Sequence, residues 1–247
     1  MGRWWWAALL RRPQAGPAGS RGRLRAGPMA KERQELVLRE WAALLEQLRR
    51  VATARVADAG DALRAGELAP PPGSHAERDY LWALEAYEAA GRLLDDAADL
   101  PDLAAAVVLA ERAVERLEAA HARLAGQRPP AAKRRCSYNP LHAPARREQK
   151  QDGRRGRRAR FGPREAAAER WPACESCHRD LLAGRPPDVL PALVRVRVSR
   201  RRTAPVLVPY LAVPRQFSPW AASACGAYGD AVPGFVLRGG HRREARP

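Results

Sequence analysis

Between residues 31 and 127 apolar side chains recur every three or four positions, the period of one face of a helix. Val37, Trp41, Leu44, Leu48 and Val51 alternate steps of four and three, which is a heptad seam and predicts a first helix over residues 31–68. Ala69-Pro70-Pro71-Pro72-Gly73 ends it, because proline has no amide to donate and cannot continue a helix. Ser74 with Glu77 three residues on has the sequence of a capping box. It opens a second helix whose seam is Tyr80, Leu84, Tyr87, Gly91 and Leu94. Asp99-Leu100-Pro101 makes the next break, with Pro101 suited to the first helical position and Asp102 to the positive end of the helix dipole. The third seam is Leu103, Val107, Ala110, Val114, Leu117, His121 and Leu124, stopped by Gly126 and Pro129-Pro130. So short a connection makes the second and third helices an antiparallel hairpin. The first helix either packs on them as a three-helix bundle or pairs with another copy. His121 reads as a polar interruption of its seam, with no second ligand at a matching turn. The alternation in Glu111-Arg112 and Glu115-Arg116 reads as a solvated face.

Beyond residue 131 the helical period is lost. Residues 176–183 form one short helix, terminated by Gly184 and Pro186-Pro187. Val194-Arg195-Val196-Arg197-Val198 alternates with period two, as a half-buried strand does, and Val206-Leu207-Val208 is a second short strand. Arg200, Arg201 and Arg202 lie in the turn between them, and the tail with Trp220, Tyr228 and Phe235 packs onto the small sheet. The fold class expected is therefore mainly α. A coiled-coil-like helical bundle or hairpin over 31–128 is followed by a small α+β, treble-clef-like zinc-finger domain over 131–240. The leader 1–30 and the Arg-rich loop within 143–170 read as disordered.

Composition changes this picture in two ways. The 247 residues are 46% hydrophobic, but alanine supplies much of that and aromatics only 6%, so the core is thin for the length. Net charge is +17, and residues 31–127 hold 12 basic against 18 acidic side chains, so the rest of the chain is strongly basic. That asymmetry suits nucleic acid, an anionic membrane surface or an acidic protein; it is equally what a GC-rich gene gives by enriching Arg, Ala, Gly and Pro. Residues 146–164 carry nine basic and two acidic residues. Within them Arg154, Arg155, Arg157, Arg158 and Arg160 can neutralise phosphates, while Phe161 is a lone aromatic and gives no stacking platform. The apolar run from Trp4 to Leu10 is too short to span a membrane, and no small-residue cleavage site follows Arg11-Arg12. Trp4, Trp5 and Trp6 among arginines can rest on a membrane interface; otherwise the segment is a leader ahead of Met29.

The chemistry lies in four residues. Cys136-Ser137-Tyr138-Asn139-Pro140-Leu141-His142 is followed, 31 residues later, by Cys174-Glu175-Ser176-Cys177. C-x-x-C is the tightest knuckle that turns two thiolates onto one zinc ion, and Cys177 falls in the first turn of the short helix, where the dipole favours a thiolate. Cys136 and His142, around the Asn139-Pro140 turn, supply the second pair. His178 is an alternative fourth ligand, strained by its place beside Cys177, and Cys225 reads as a small buried residue. A redox pair would want C-x-x-C between a strand and a helix of a thioredoxin-like unit, which is not found. Few cysteines near one histidine suit a reducing, cytoplasmic compartment and a metal rather than disulfides. A four-ligand zinc site is closed: it holds a fold together and does not activate water. No nucleophile, base and orienting group can be named together, so no catalytic residue is assigned.

The chain also resembles a family of uncharacterised actinobacterial proteins. The resemblance rests on Leu100-Pro101-Asp102-Leu103, Cys136-x-x-Asn139-Pro140-Leu141-His142, Ala173-Cys174-x-x-Cys177, Gly184-Arg185-x-Pro187-Asp188 and Val208-Pro209-Tyr210, then the tract from Trp220 to Asp230. It covers roughly residues 75–240. In that family the region looks like the cytosolic part of membrane-anchored proteins, and the resemblance implies that Cys136, His142, Cys174 and Cys177 form one site. It supplies no reaction. This chain departs at Ser137, where the family tends to have an aromatic residue, and at Ala143, where it tends to have glycine; residues 154–160 look inserted, and Pro233-Gly234 interrupts the last helix. The functional expectation is a non-enzymatic interaction or scaffold protein with a structural zinc. It would work through a protein partner or self-association of helices 31–127, peripheral to a membrane if the tryptophans engage one. The alternative is nucleic-acid binding through the Arg-rich loop and the zinc module. No small-molecule substrate is evident.

Overall fold

Proline and capping side chains set the helix boundaries in the computed structural model, which describes residues 28–66, 68–145, 172–199 and 202–242. Helix α1 runs over Pro28–Ala65, α2 over His75–Asp96 and α3 over Leu100–Leu124. Ser74 caps α2, its Oγ accepting from the Glu77 amide at 3.1 Å, while the Glu77 carboxylate reaches back to the Gly73 amide at 2.5 Å. Asp99 caps α3 in a second capping box, in which the Asp102 carboxylate accepts from the Asp99 amide at 3.0 Å. Pro101 takes the second helical position, after Leu100 rather than first.

The three helices form a bundle, as one of the two expected arrangements, and its packing faces are largely alanine. Ala83, Ala86, Ala89 and Ala90 of α2 are fully buried, as are Ala104, Ala105, Ala106, Ala110 and Ala113 of α3. This displaces the expected seams. On α1, Leu44 and Val51 stay 40% and 43% exposed, and the packed stripe is Trp41, Leu45, Leu48, Ala52, Val56 and Ala59. On α2, Leu84 is exposed and Leu93 is buried. The physical reason is size: an alanine face lets two helix backbones approach closely, so large side chains do not mark the contact. The α3 seam is correct as far as Leu117, while His121 and Leu124 lie outside the bundle.

The second half builds onto the N-terminal part of α3. Helix α4 spans Glu175–Leu182, strands β1 and β2 span Pro191–Ser199 and Arg202–Pro209, and a last short helix, α5, spans Val232–Leu237. The strands pair antiparallel, with Ala192 opposite Val208 and Val194 opposite Val206. Both are longer than expected. Leu190, Ala192, Tyr210, Trp220, Cys225 and Val236 share one core with Leu100, Leu103 and Leu109 of α3.

The α3 cap is the joint of this assembly. Asp99 accepts from the Trp41 indole of α1 at 3.1 Å, from the Leu193 amide of β1 at 2.9 Å and from its own helix at Leu100, 2.8 Å. Asp102 accepts from the Trp220 indole at 2.7 Å. Two carboxylates that cap one helix therefore fix α1, the hairpin and the C-terminal segment around it. The chain passes Trp220 through three successive left-handed residues, Ala224, Cys225 and Gly226; a side chain on Gly226 would press on Leu109.

The expected solvated Glu/Arg face is instead an ion-pair network between the halves. Arg112 donates to the Gly226 carbonyl at 2.7 Å and to Asp230 at 2.7 Å. Arg116 bridges Asp79 and Asp230 at 2.6 and 2.7 Å, and both guanidinium groups lie over the Trp82 ring. On the opposite side Arg135 is buried between Glu111 and Glu115. Residues with few apolar atoms thus hold the C-terminal segment on the bundle, and their i, i+4 pattern alone does not distinguish that from a surface.

Candidate metal centre

Two segments far apart in sequence are drawn together by backbone hydrogen bonds. The Ala145 amide donates to the Arg134 carbonyl at 2.8 Å, closing a loop over residues 134–145. The Ser137 amide donates to the Pro172 carbonyl at 2.7 Å, which lays that loop beside the approach to α4. Inside the loop Asn139 makes the turn: its side chain accepts from the Leu141 amide at 3.2 Å and its carbonyl from the His142 amide at 3.0 Å. His142 is thereby folded back toward Cys136. Cys174 is the N-cap of α4 and Cys177 lies in its first turn. The hairpin supports the loop from below, with the Leu190 amide on the Tyr138 carbonyl at 3.0 Å and the Tyr210 hydroxyl on the Ser137 carbonyl at 2.5 Å.

The result is a Cys3His cluster. Cys136, Cys174 and Cys177 are buried, His142 is half-buried, and one donor atom from each lies within 4.8 Å of all the others. His142 turns Nδ1 to the thiols, 3.5 Å from Cys174 Sγ and 3.4 Å from Cys177 Sγ. Its Nε2 stands 3.4 Å from the Asp188 carboxylate. A tetrahedral zinc with bonds of about 2.0–2.3 Å sets its ligand atoms about 3.5–4 Å apart, so the cluster can hold one such ion. An Asp–His–metal relay of this kind fixes the ring orientation and raises the basicity of the ligating nitrogen.

The charges are prepared for a cation. The Cys177 thiol donates to Cys136, and with His142 and the amides of Cys174 and Asn139 this lowers the Cys136 thiol to about 3 against the cost of its burial. The same hydrogen bond, with burial, pushes Cys177 upward. Asp188, then Cys136, raise His142 to about 10. Without metal the cluster is therefore a thiolate and an imidazolium beside neutral thiol. A metal that takes all four ligands displaces protons from Cys177 and from His142 Nδ1.

The structure brings together the four residues expected as ligands. His178 lies outside the cluster. Cys225 is buried in the α3 core beside Asp102 and Asp99, where burial raises its thiol well above the ordinary range. Arg154, Arg155, Arg157, Arg158 and Arg160, and Trp4, Trp5 and Trp6, lie outside the described residues. Among the described residues no helix is long and apolar enough to cross a membrane. Asp188 was legible only as part of a tract; its role depends on the turn that carries the chain from α4 to β1, which no local pattern announces. No protein-family model, no curated protein and no solved structure matches this chain.

Proposed function

We propose that the protein is a non-enzymatic interaction module whose second half is held in shape by a structural zinc ion on Cys136, His142, Cys174 and Cys177. The observation that carries the reading is the closed donor set. Three buried thiols and a histidine oriented by Asp188 complete a tetrahedron, leaving no position for substrate or water. The segments it ties, residues 134–145 and the start of α4, share few large apolar side chains: Tyr138, Leu181, Val189 and Leu211 surround the cysteines. A structural zinc contributes about 10–16 kcal/mol in the smallest zinc modules, far more than so small a cluster supplies by burial. The resemblance to the actinobacterial family, which groups the same four residues, supports the same site and the cytoplasmic setting.

The test is the metal content of the full chain purified without chelator, beside Cys174→Ser. One zinc per chain in the parent and none in the variant, with loss of protection from proteolysis around residues 134–190, is the expected result. A folded, metal-free parent that binds no added zinc would remove the proposal.

A further inference from the structure

Helix α1 has 38 residues against 22 and 25 in α2 and α3, and Trp41 is its first residue packed on the common core. The face turned from the bundle is not polar. Leu36, Leu44 and Val51 are exposed at 57%, 40% and 43%. With Leu141 and Val189 from the far side, Leu44 and Val51 line a groove of about 590 Å³. Glu40 also lines it, and its Oε2 is buried with no hydrogen-bond partner. A buried acceptor left alone costs free energy, so this surface wants a covering group that donates.

The stripe itself says what covers it. At i, i+3 and i+4 spacing it reads Glu32, Leu36, Glu40, Ala43, Leu44, Gln47, Val51 and Arg55. Laid antiparallel on a copy of itself about the point between Ala43 and Leu44, every position meets a fitting one. Glu32 faces Arg55, Leu36 faces Val51, Glu40 faces Gln47, and Ala43 faces Leu44. The acid meets the base, the apolar residues meet each other, and the large side chain meets the small one. The Gln47 amide donates where Glu40 lacks a partner. A surface that is its own complement about a two-fold axis is the signature of an isologous dimer. Antiparallel pairing of heptad-like stripes is the geometry that buries it.

We infer that two copies of this chain associate through α1 in that antiparallel register, over a stripe about 35 Å long. This names the partner for the interaction role proposed above. It rests on the metal reading only through one wall of the groove, since Asn139 and Leu141 lie between Cys136 and His142. Arg55, half-exposed, also stands 3.3 Å from Asp58 and 3.6 Å from Glu111 in its own chain, so its guanidinium is already held at the height where Glu32 of the second copy would meet it.

Sedimentation equilibrium of the full chain, with zinc content measured on the same samples, tests this. The parent is expected to be dimeric at micromolar concentration. Leu44→Glu is expected to be a folded monomer, with an unchanged far-ultraviolet spectrum and melting temperature extrapolated to monomer. Glu32→Arg and Arg55→Glu each set like charges opposite one another twice per dimer, and each is expected to weaken association about tenfold. Mixed in equal amounts the two variants restore both ion pairs, so the heterodimer is expected to recover parental affinity. A parent that stays monomeric at 100-fold higher concentration, a dimer that tolerates Leu44→Glu, or a mixture no tighter than either variant alone would overturn the inference. A zinc-bearing monomer would overturn it while leaving the metal reading intact, and a metal-free dimer would do the reverse.

Discussion

The His142 ring is where one residue's surroundings decide the chemistry. Asp188 holds Nε2, which leaves Nδ1 for the metal and makes it a better base. Asp188→Asn keeps the shape but removes the charge, and is expected to weaken zinc binding 10- to 100-fold without unfolding the chain. Competition with a chromophoric chelator measures this; an unchanged affinity would mean that the carboxylate, itself exposed, does not orient the ring. The four thiols separate by the same logic. Cys136, Cys174 and Cys177 are expected to be inert to a thiol reagent while zinc is bound and to react once it is chelated. Cys225, enclosed in the α3 core with its thiol pushed upward, is expected to react only on unfolding. Titration that finds Cys225 reactive in the native chain would contradict its place in that core. At this scale the sequence was informative, because ligand chemistry tolerates few residue types and C-x-x-C has one efficient geometry. Asp188 was not identifiable, because a lone carboxylate acquires its role only from the fold that brings it to the histidine.

Helix ends carry more of the architecture than helix faces. Ser74 and Asp99 both cap helices, yet their surroundings give them different weight. Ser74 caps α2 at the surface, so Ser74→Ala is expected to cost about 1 kcal/mol. Asp99 is 1% exposed and accepts from Trp41 and Leu193 as well as Leu100. Asp99→Ala removes a cap and strands two further donors, and is expected to cost about 3 kcal/mol or more. Urea unfolding followed by tryptophan fluorescence and by helix signal tests the contrast; equal costs at the two caps would refute it. Both boundaries were legible, since Ser-x-x-Glu and Asp-x-x-Asp after proline or a short break are local signals. The faces were less so. Reading large residues alone turned the α1 seam toward Leu44 and Val51, whereas the bundle is packed on Ala52 and Ala59. Alanine is ambiguous in a sequence this rich in it, so the helices could be found but not rotated correctly.

Across the whole molecule, carboxylates and arginines rather than apolar area close the C-terminal segment onto the bundle. That makes its attachment sensitive to acid. Asp96 accepts from His241 Nε2 and Arg242 Nε, both at 3.1 Å, and these two bonds hold its carboxyl below the ordinary 3.8. Partial burial opposes ionisation of Asp230, but Arg116 and Arg112 outweigh it, and that carboxyl too lies below its usual range. A carboxyl depressed by folding binds fewer protons in the folded state than in the unfolded one. Its contribution is therefore complete above the ordinary carboxyl range and disappears as pH falls through the lowered folded values. The two anchors flank α5, one on α2 and one against α3. Between pH 5 and pH 3, hydrogen exchange of residues 228–242 is expected to accelerate ahead of the alanine-packed core of α2 and α3, which contains no comparable charge. Zinc ligands also take up protons in that interval, so the acid effect needs a counterpart at neutral pH. Asp96→Asn supplies it: at pH 7, with zinc bound, it is expected to reproduce the faster exchange of the segment after α5 while residues 134–145 stay protected. Exchange that rises only together with metal loss would show that the second half is held by zinc alone and that the ion pairs merely decorate its edge.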